Sequence, residues 1–202
     1  MIISKSRLTQ PIRDILLTAK YFSTKPTSAT DLSSYSNSFV WNSPVSLIEK
    51  SIITMLDNEK YNYKNKLIEY WFQHQIKSQG LEPHCDYNHI IRKESLTQDG
   101  SWLHTCKKTD IMSPVTISCY LQTSMSGGEL CISDQTWFDY ATPLSVNSNI
   151  IKSFPYKMYS PEVDDIFYFN GSKYFHWINP VLEGERKSMQ INFWDNDSLK
   201  PT

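Results

Sequence analysis

His84-Cys85-Asp86, followed about ninety residues later by Tyr174-Phe175-His176-Trp177-Ile178-Asn179-Pro180-Val181-Leu182-Glu183-Gly184-Glu185-Arg186-Lys187-Ser188, decides how this chain is read. In an extended segment residues i and i+2 point the same way. His84 and Asp86 therefore face one side together, and Cys85 faces the other. One imidazole and one carboxylate are two metal ligands, and His176 would supply the third. Two histidines and a carboxylate on one face of an ion leave the opposite positions open for reactants. A His-x-Asp triplet alone arises by chance in many chains. The weight lies in its company: a distal His, an Arg ten residues after it, and a Ser two beyond the Arg.

The last stretch also carries a strand pattern. Arg186, Ser188, Gln190 and Asn192 share one face, and Lys187, Met189, Ile191 and Phe193 the other. Thr116, Ser118, Tyr120 and Gln122 alternate in the same way with Val115, Ile117, Cys119 and Leu121. An arginine directed into a barrel needs an anion, because burying a lone guanidinium is costly. A carboxylate accepts two parallel hydrogen bonds from it, and a hydroxyl from Ser188 or Tyr120 would add a third. The plainer alternative is an arginine paired with a surface carboxylate.

Further strands are expected at Lys66–Ile76, Leu81–Tyr87, Glu129–Ser133, Ile150–Phe154, Val163–Asn170, Tyr174–Asn179 and Lys187–Trp194, with glycines 127, 128, 171 and 184 in the turns. Helices are expected over Pro11–Lys20 and near 44–57, the second with Ser43 as N-cap and Pro44 in its first turn. Residues 23–38 read as loop, and 88–112 as a candidate lid. Helices first and many short strands afterwards indicate an α+β chain whose best fit is a double-stranded β-helix, or jelly roll, with N-terminal covering helices. Residues 1–202 read as one domain, with a helical and loop part over 1–65 and the β-helix core over 66–194.

Composition agrees with an ordinary globule: 202 residues, 40% hydrophobic, 20% charged, net charge −1. No basic run suggests nucleic acid, and no apolar run approaches a membrane span. Cys85, Cys106, Cys119 and Cys131 form no CxxC pair and are too sparse for a disulfide scaffold, so free thiols in a reducing cytoplasm are expected. The first 26 residues faintly resemble a transit peptide, against which Asp14 argues. His89 and His104 read as polar loop residues, Cys85 as packing, Asp164-Asp165 as turn chemistry, and Trp71, Trp102 and Trp177 as core or rim.

Taken in order, His84-Cys-Asp86, Val115-Thr-Ile-Ser-Cys-Tyr120-Leu121, Gly127-Gly-Glu-Leu130, His176 and Arg186-Lys-Ser188 resemble the Fe(II)- and 2-oxoglutarate-dependent oxygenases, nearest the prolyl-hydroxylase-like branch. The resemblance covers about residues 66–194. It implies that His84, Asp86 and His176 hold Fe(II). It implies that Arg186 binds the distal carboxylate of 2-oxoglutarate, with the Tyr120 phenol and Ser188 hydroxyl beside it and Leu130 packed against it. His74, ten residues before His84, stands where such enzymes often place a co-substrate contact. The implied reaction consumes O2 and 2-oxoglutarate, releases succinate and CO2, and hydroxylates a C–H bond. Asp86 in place of a small residue makes hydroxylation rather than halogenation the default. The substrate class stays open: a protein side chain, an amino acid or another small molecule. Two other readings stand beside it: a cupin-like metal-binding jelly roll, isomerase or binding module, without 2-oxoglutarate turnover, and an inactive oxygenase relative kept for interaction. An anion clamp past the last ligand speaks against a plain cupin.

Overall fold

The computed structural model describes residues 2–19, 22–23, 38–40, 44, 46–64, 66–86, 115–136 and 148–195. The candidate lid, His89, Trp102, His104 and Cys106 lie outside these residues.

Two sheets face one another. The larger is β1 (Ile2–Arg7), β10 (Asp165–Phe169), β6 (Thr116–Gln122), β13 (Arg186–Asp195), β4 (Lys66–Gln75) and β2 (Phe22–Ser23) in that order, with β3 (Ser38–Val40) also on β4. The smaller is β5 (Leu81–His84), β11 (Tyr174–Ile178), β8 (Leu130–Thr136) and β9 (Tyr156–Tyr159). A two-stranded ribbon, β7 (Ser126–Gly127) with β12 (Val181–Glu183), closes one end. Among these pairings only β2 with β4 is parallel. Apolar side chains of both sheets meet across the interior: Tyr120, Phe167 and Phe169 from the larger, Leu130, Ile132 and Ile178 from the smaller. This is a jelly roll with helices on one face, an α+β architecture.

The alternation in β13 and β6 decides which face does what. Met189, Ile191 and Phe193, with Ile117, Cys119 and Leu121, lie under the helices α1 (Gln10–Leu16) and α2 (Leu47–Asn58), packed against Ile12, Leu16, Ile52, Met55 and Leu56. The register sets Arg186 opposite Gln75, Ser188 opposite Gln73 and Tyr120, and Asn192 opposite Glu69 and Thr116. One face of the large sheet is therefore a sealed apolar core, and the other is a polar wall turned to the interior.

Three expectations are corrected. The helix near 44–57 starts at Leu47, because Ser46 and Glu49 form a reciprocal capping box and so satisfy two backbone or side-chain donors at the N-terminus; Ser43-Pro44 is not its cap. The first 65 residues carry strands as well as helices, and β1 extends the large sheet by pairing with β10. Residues 148–153 form a short helix, α3, rather than a strand; Ile151 packs with Cys85, Cys131, Phe175 and Trp177 on the outer side of the small sheet. Trp177 and Cys85 are thus packing residues, as expected.

Candidate active site

β5 and β11 pair with His84 opposite His176, so two imidazoles from neighbouring strands stand side by side, ring centres 4.3 Å apart. Asp86 follows β5 by two residues and points the same way. Its Oδ1 lies 3.8 Å from His84 Nε2 and 3.7 Å from His176 Nε2. The three donor atoms lie within 4.8 Å of one another.

The histidines are oriented for ligation. His84 Nδ1 lies 2.8 Å from the Glu82 carbonyl and His176 Nδ1 3.2 Å from the Tyr174 carbonyl. A carbonyl only accepts, so each Nδ1 carries a proton, and in the neutral ring it is Nε2 whose lone pair is left for the site. Burial, and then the neighbouring His84, push His176 down to about 4, which keeps it neutral. Its ring meets Phe169 edge-on at 5.0 Å. Donors at right angles and about 2.0–2.2 Å from one ion sit roughly 3 Å apart. Each His–Asp pair is therefore wider than a filled site needs by less than roughly 1 Å. Two neutral imidazoles and one carboxylate, with other sides free, fit Fe(II) and related divalent ions.

Asp86 is held by more than the strand. Its amide donates to the Gly171 carbonyl at 2.9 Å, and its Oδ2 accepts from the Thr116 hydroxyl at 2.8 Å. A Cβ on Gly171 would come within 2.4 Å of both Asp86 Oδ2 and Thr116 Oγ1, so only glycine lets that backbone approach.

At the other end of the polar wall Arg186 is completely buried. Its Nη1 donates to Gln75 Oε1, and its guanidinium lies 4.8 Å from the centre of the Tyr120 ring. Arg186 Nε and Nη2, Gln75 Nε2 and the Tyr120 hydroxyl are buried and have no partner among the described residues. All four are able to donate, and among the described residues no carboxylate pairs with this arginine. Buried donors of this kind match the acceptor atoms of an anion such as a carboxylate. Burial pushes the Tyr120 phenol up, with Arg186 opposing, so it stays protonated and able to donate.

Between the two ends Ser118, Gln190 and Ser188 form a hydrogen-bonded chain along the wall. Leu130 stands on the facing sheet, in one cluster with Tyr120 and Ile132. His74 does not join the group. Strand alternation turns it to the opposite face from Gln75, where its Nε2 lies 2.6 Å from Glu185 Oε2. Gln75 is the β4 residue that touches Arg186. The register that sets Gln75 opposite Arg186 is what finds it.

No protein-family model matches the chain, and no curated protein matches its sequence. Solved structures with similar folds include a viral collagen prolyl hydroxylase from Paramecium bursaria Chlorella virus-1, at 15% identity over 94% of this chain and 88% of that one, TM-score 0.49. A Pseudomonas putida prolyl-4-hydroxylase is similar at 11% identity over 78% and 71%, TM-score 0.44. An oxidoreductase of the 2OG-Fe(II) oxygenase family from Burkholderia pseudomallei is similar at 12% over 74% and 57%, TM-score 0.42. The jelly roll thus gathers His84, Asp86 and His176 at the end of the β5–β11 pair, and β13 carries a buried Arg186 whose Nε and Nη2 have no partner among the described residues.

Proposed function

We propose that this chain is an Fe(II)- and 2-oxoglutarate-dependent dioxygenase that hydroxylates a C–H bond of a protein side chain, an amino acid or another small molecule. The observation that carries the reading is the pairing of two features in one interior: three convergent ligand atoms, and a buried arginine with unpartnered Nε and Nη2. A cupin-like isomerase or binding module accounts for the first and has no use for the second.

Fe(II) with 2-oxoglutarate and O2 supplies the oxidant for C–H hydroxylation, with succinate and CO2 as the other products. The chain's part is positioning. His84 and His176 present lone pairs because their Nδ1 protons are committed to backbone carbonyls. Arg186 and Tyr120 offer donors to the distal carboxylate, and Gln75 adds an amide. Ser188 stands next to Gln190 on the same face and lies opposite Tyr120. Leu130, Ile132 and Ile178 make the facing wall apolar, and Phe167 and Phe169 add apolar rings from the large sheet, which keeps water from the reacting centre.

The reading takes residues 1–202 as one domain with its core over 66–194. The described cysteines, Cys85, Cys119 and Cys131, are buried, and the reading places the chain in a reducing, cytoplasmic setting. Among the described residues no helix is long and apolar enough to cross a membrane. The test is succinate release from 2-oxoglutarate with Fe(II) and ascorbate, run alone and with a panel of peptides and amino acids. Turnover that depends on His84, Asp86, His176 and Arg186 supports the reading. Metal binding with no succinate under any condition favours the cupin-like alternative.

A further inference from the structure

We infer that Thr116 is a positioning residue that restricts Asp86 to ligation through a single oxygen, with Asn192 and Gly171 enforcing its geometry. This inference rests on the metal-site reading above.

Asp86 has two oxygens with different surroundings. Oδ1 faces both imidazoles, at 3.8 and 3.7 Å. Oδ2 faces away and is taken by Thr116. A carboxylate with both oxygens free can swing to hold an ion through two bonds, which fills one more coordination position. With Oδ2 accepting a hydrogen bond, that swing requires breaking a bond to a charged acceptor inside a site where only 7% of the Asp86 side chain is exposed.

The proton count sharpens the assignment. Thr116 Oγ1 lies 2.8 Å from Asp86 Oδ2 and 2.7 Å from Asn192 Oδ1, yet a hydroxyl has one proton. A carboxylate can only accept, whereas an amide can present either end. The consistent arrangement turns the Asn192 amide so that its NH2 donates to Thr116, and the Thr116 hydroxyl donates its one hydrogen bond to Asp86 Oδ2. Asn192 is 2% exposed and Thr116 1%, so water does not compete for these groups. Gly171 closes the third side: its backbone lies so near Asp86 Oδ2 and Thr116 Oγ1 that a methyl group would collide with both. The same row of the sheet, Thr116 opposite Asn192, therefore fixes a metal ligand that belongs to neither strand.

The experiment is anaerobic titration of Co(II) into wild type and into Thr116→Val, Thr116→Ser, Gly171→Ala and His84→Ala. The readouts are the dissociation constant and the visible Co(II) absorption spectrum, with urea denaturation of each metal-free protein as a check on folding. Losing an outer partner of a ligating group typically costs about 10–100-fold in metal affinity. Thr116→Val is expected to show that loss together with an altered spectrum, and Thr116→Ser to restore both. Gly171→Ala should weaken Co(II) in the same direction by crowding the same oxygen while leaving the hydroxyl present. Wild-type affinity and spectrum in Thr116→Val, while His84→Ala loses Co(II), overturns the inference and leaves the metal-site reading standing. Equal losses in Thr116→Val and Thr116→Ser also overturn it, since packing and not the hydroxyl would then be at work. Co(II) binding that ignores His84→Ala overturns both.

Discussion

Replacing Arg186 with methionine separates the clamp reading from a purely structural arginine, because the two predict opposite signs. Methionine keeps an apolar stem over Tyr120 and removes the guanidinium. In the ligand-free protein that guanidinium is fully buried, bonded to Gln75 through Nη1, and unsatisfied at Nε and Nη2. Replacing a buried charge with an apolar residue of similar size is often neutral or stabilising by about 1–4 kcal/mol. Leaving the Gln75 oxygen without its donor costs about 1–3 kcal/mol against this. The ligand-free variant is therefore expected to be close to wild type in stability. With 2-oxoglutarate present the variant should suffer. Removing a charged partner of a carboxylate in a pocket costs about 2–5 kcal/mol, or roughly thirty- to several-thousand-fold in Kd. Ligand at a hundred times its Kd stabilises a protein by about 2.7 kcal/mol, a gain that wild type should show and the variant should largely lose at the same concentration. Arg186→Lys should recover only part, since an ammonium cannot form the paired fork. The assay is calorimetric titration of 2-oxoglutarate into the Mn(II)-loaded protein, with thermal melting with and without ligand. Unchanged 2-oxoglutarate affinity, or a ligand-free protein that has lost its fold, would refute the reasoning.

Single substitutions of His84, Asp86 or His176 by alanine should each abolish stoichiometric Mn(II) or Co(II) binding, read by titration, while Arg186→Met leaves metal binding near wild type. Glu185 is held down at about 2, first by the Gln122 amide and then by His74. A depressed carboxylate adds stability above its ordinary value of 4.5 and loses it as pH falls towards 2. Glu185→Gln should therefore flatten the dependence of stability on pH across that window, measured by urea denaturation; an unchanged slope counts against the cluster. Ser46→Ala removes the hydroxyl that caps α2 at Glu49 and should cost about 1 kcal/mol in the same assay, with succinate release unaffected.

The sequence by itself determined the candidate ligands and the strand faces. Period-two alternation in 115–122 and 186–193 is a local property, so it already divided an apolar face for the helices from a polar face for the interior. His84 and Asp86 were legible as partners for the same reason, being two residues apart in extended chain. It did not determine which neighbours satisfy those polar groups, because register across strands depends on the whole sheet. Ten residues before His84, the chain offered His74 as a co-substrate contact, and only the pairing of β4 with β13 showed that Gln75 meets Arg186 while His74 turns away to Glu185. The stretch 148–153 gave short apolar runs that fit strand or helix equally, and burial of Ile151 beside Trp177 and Cys131 decided for a helix. Thr116, Asn192 and Gly171 come from three separate parts of the chain, and local pattern marks the first two only as polar-face residues and the third only as a turn residue. Their meeting around one oxygen of Asp86 is a consequence of tertiary structure alone, since it requires three chain segments, none adjacent in sequence, to be brought within hydrogen-bond or contact distance.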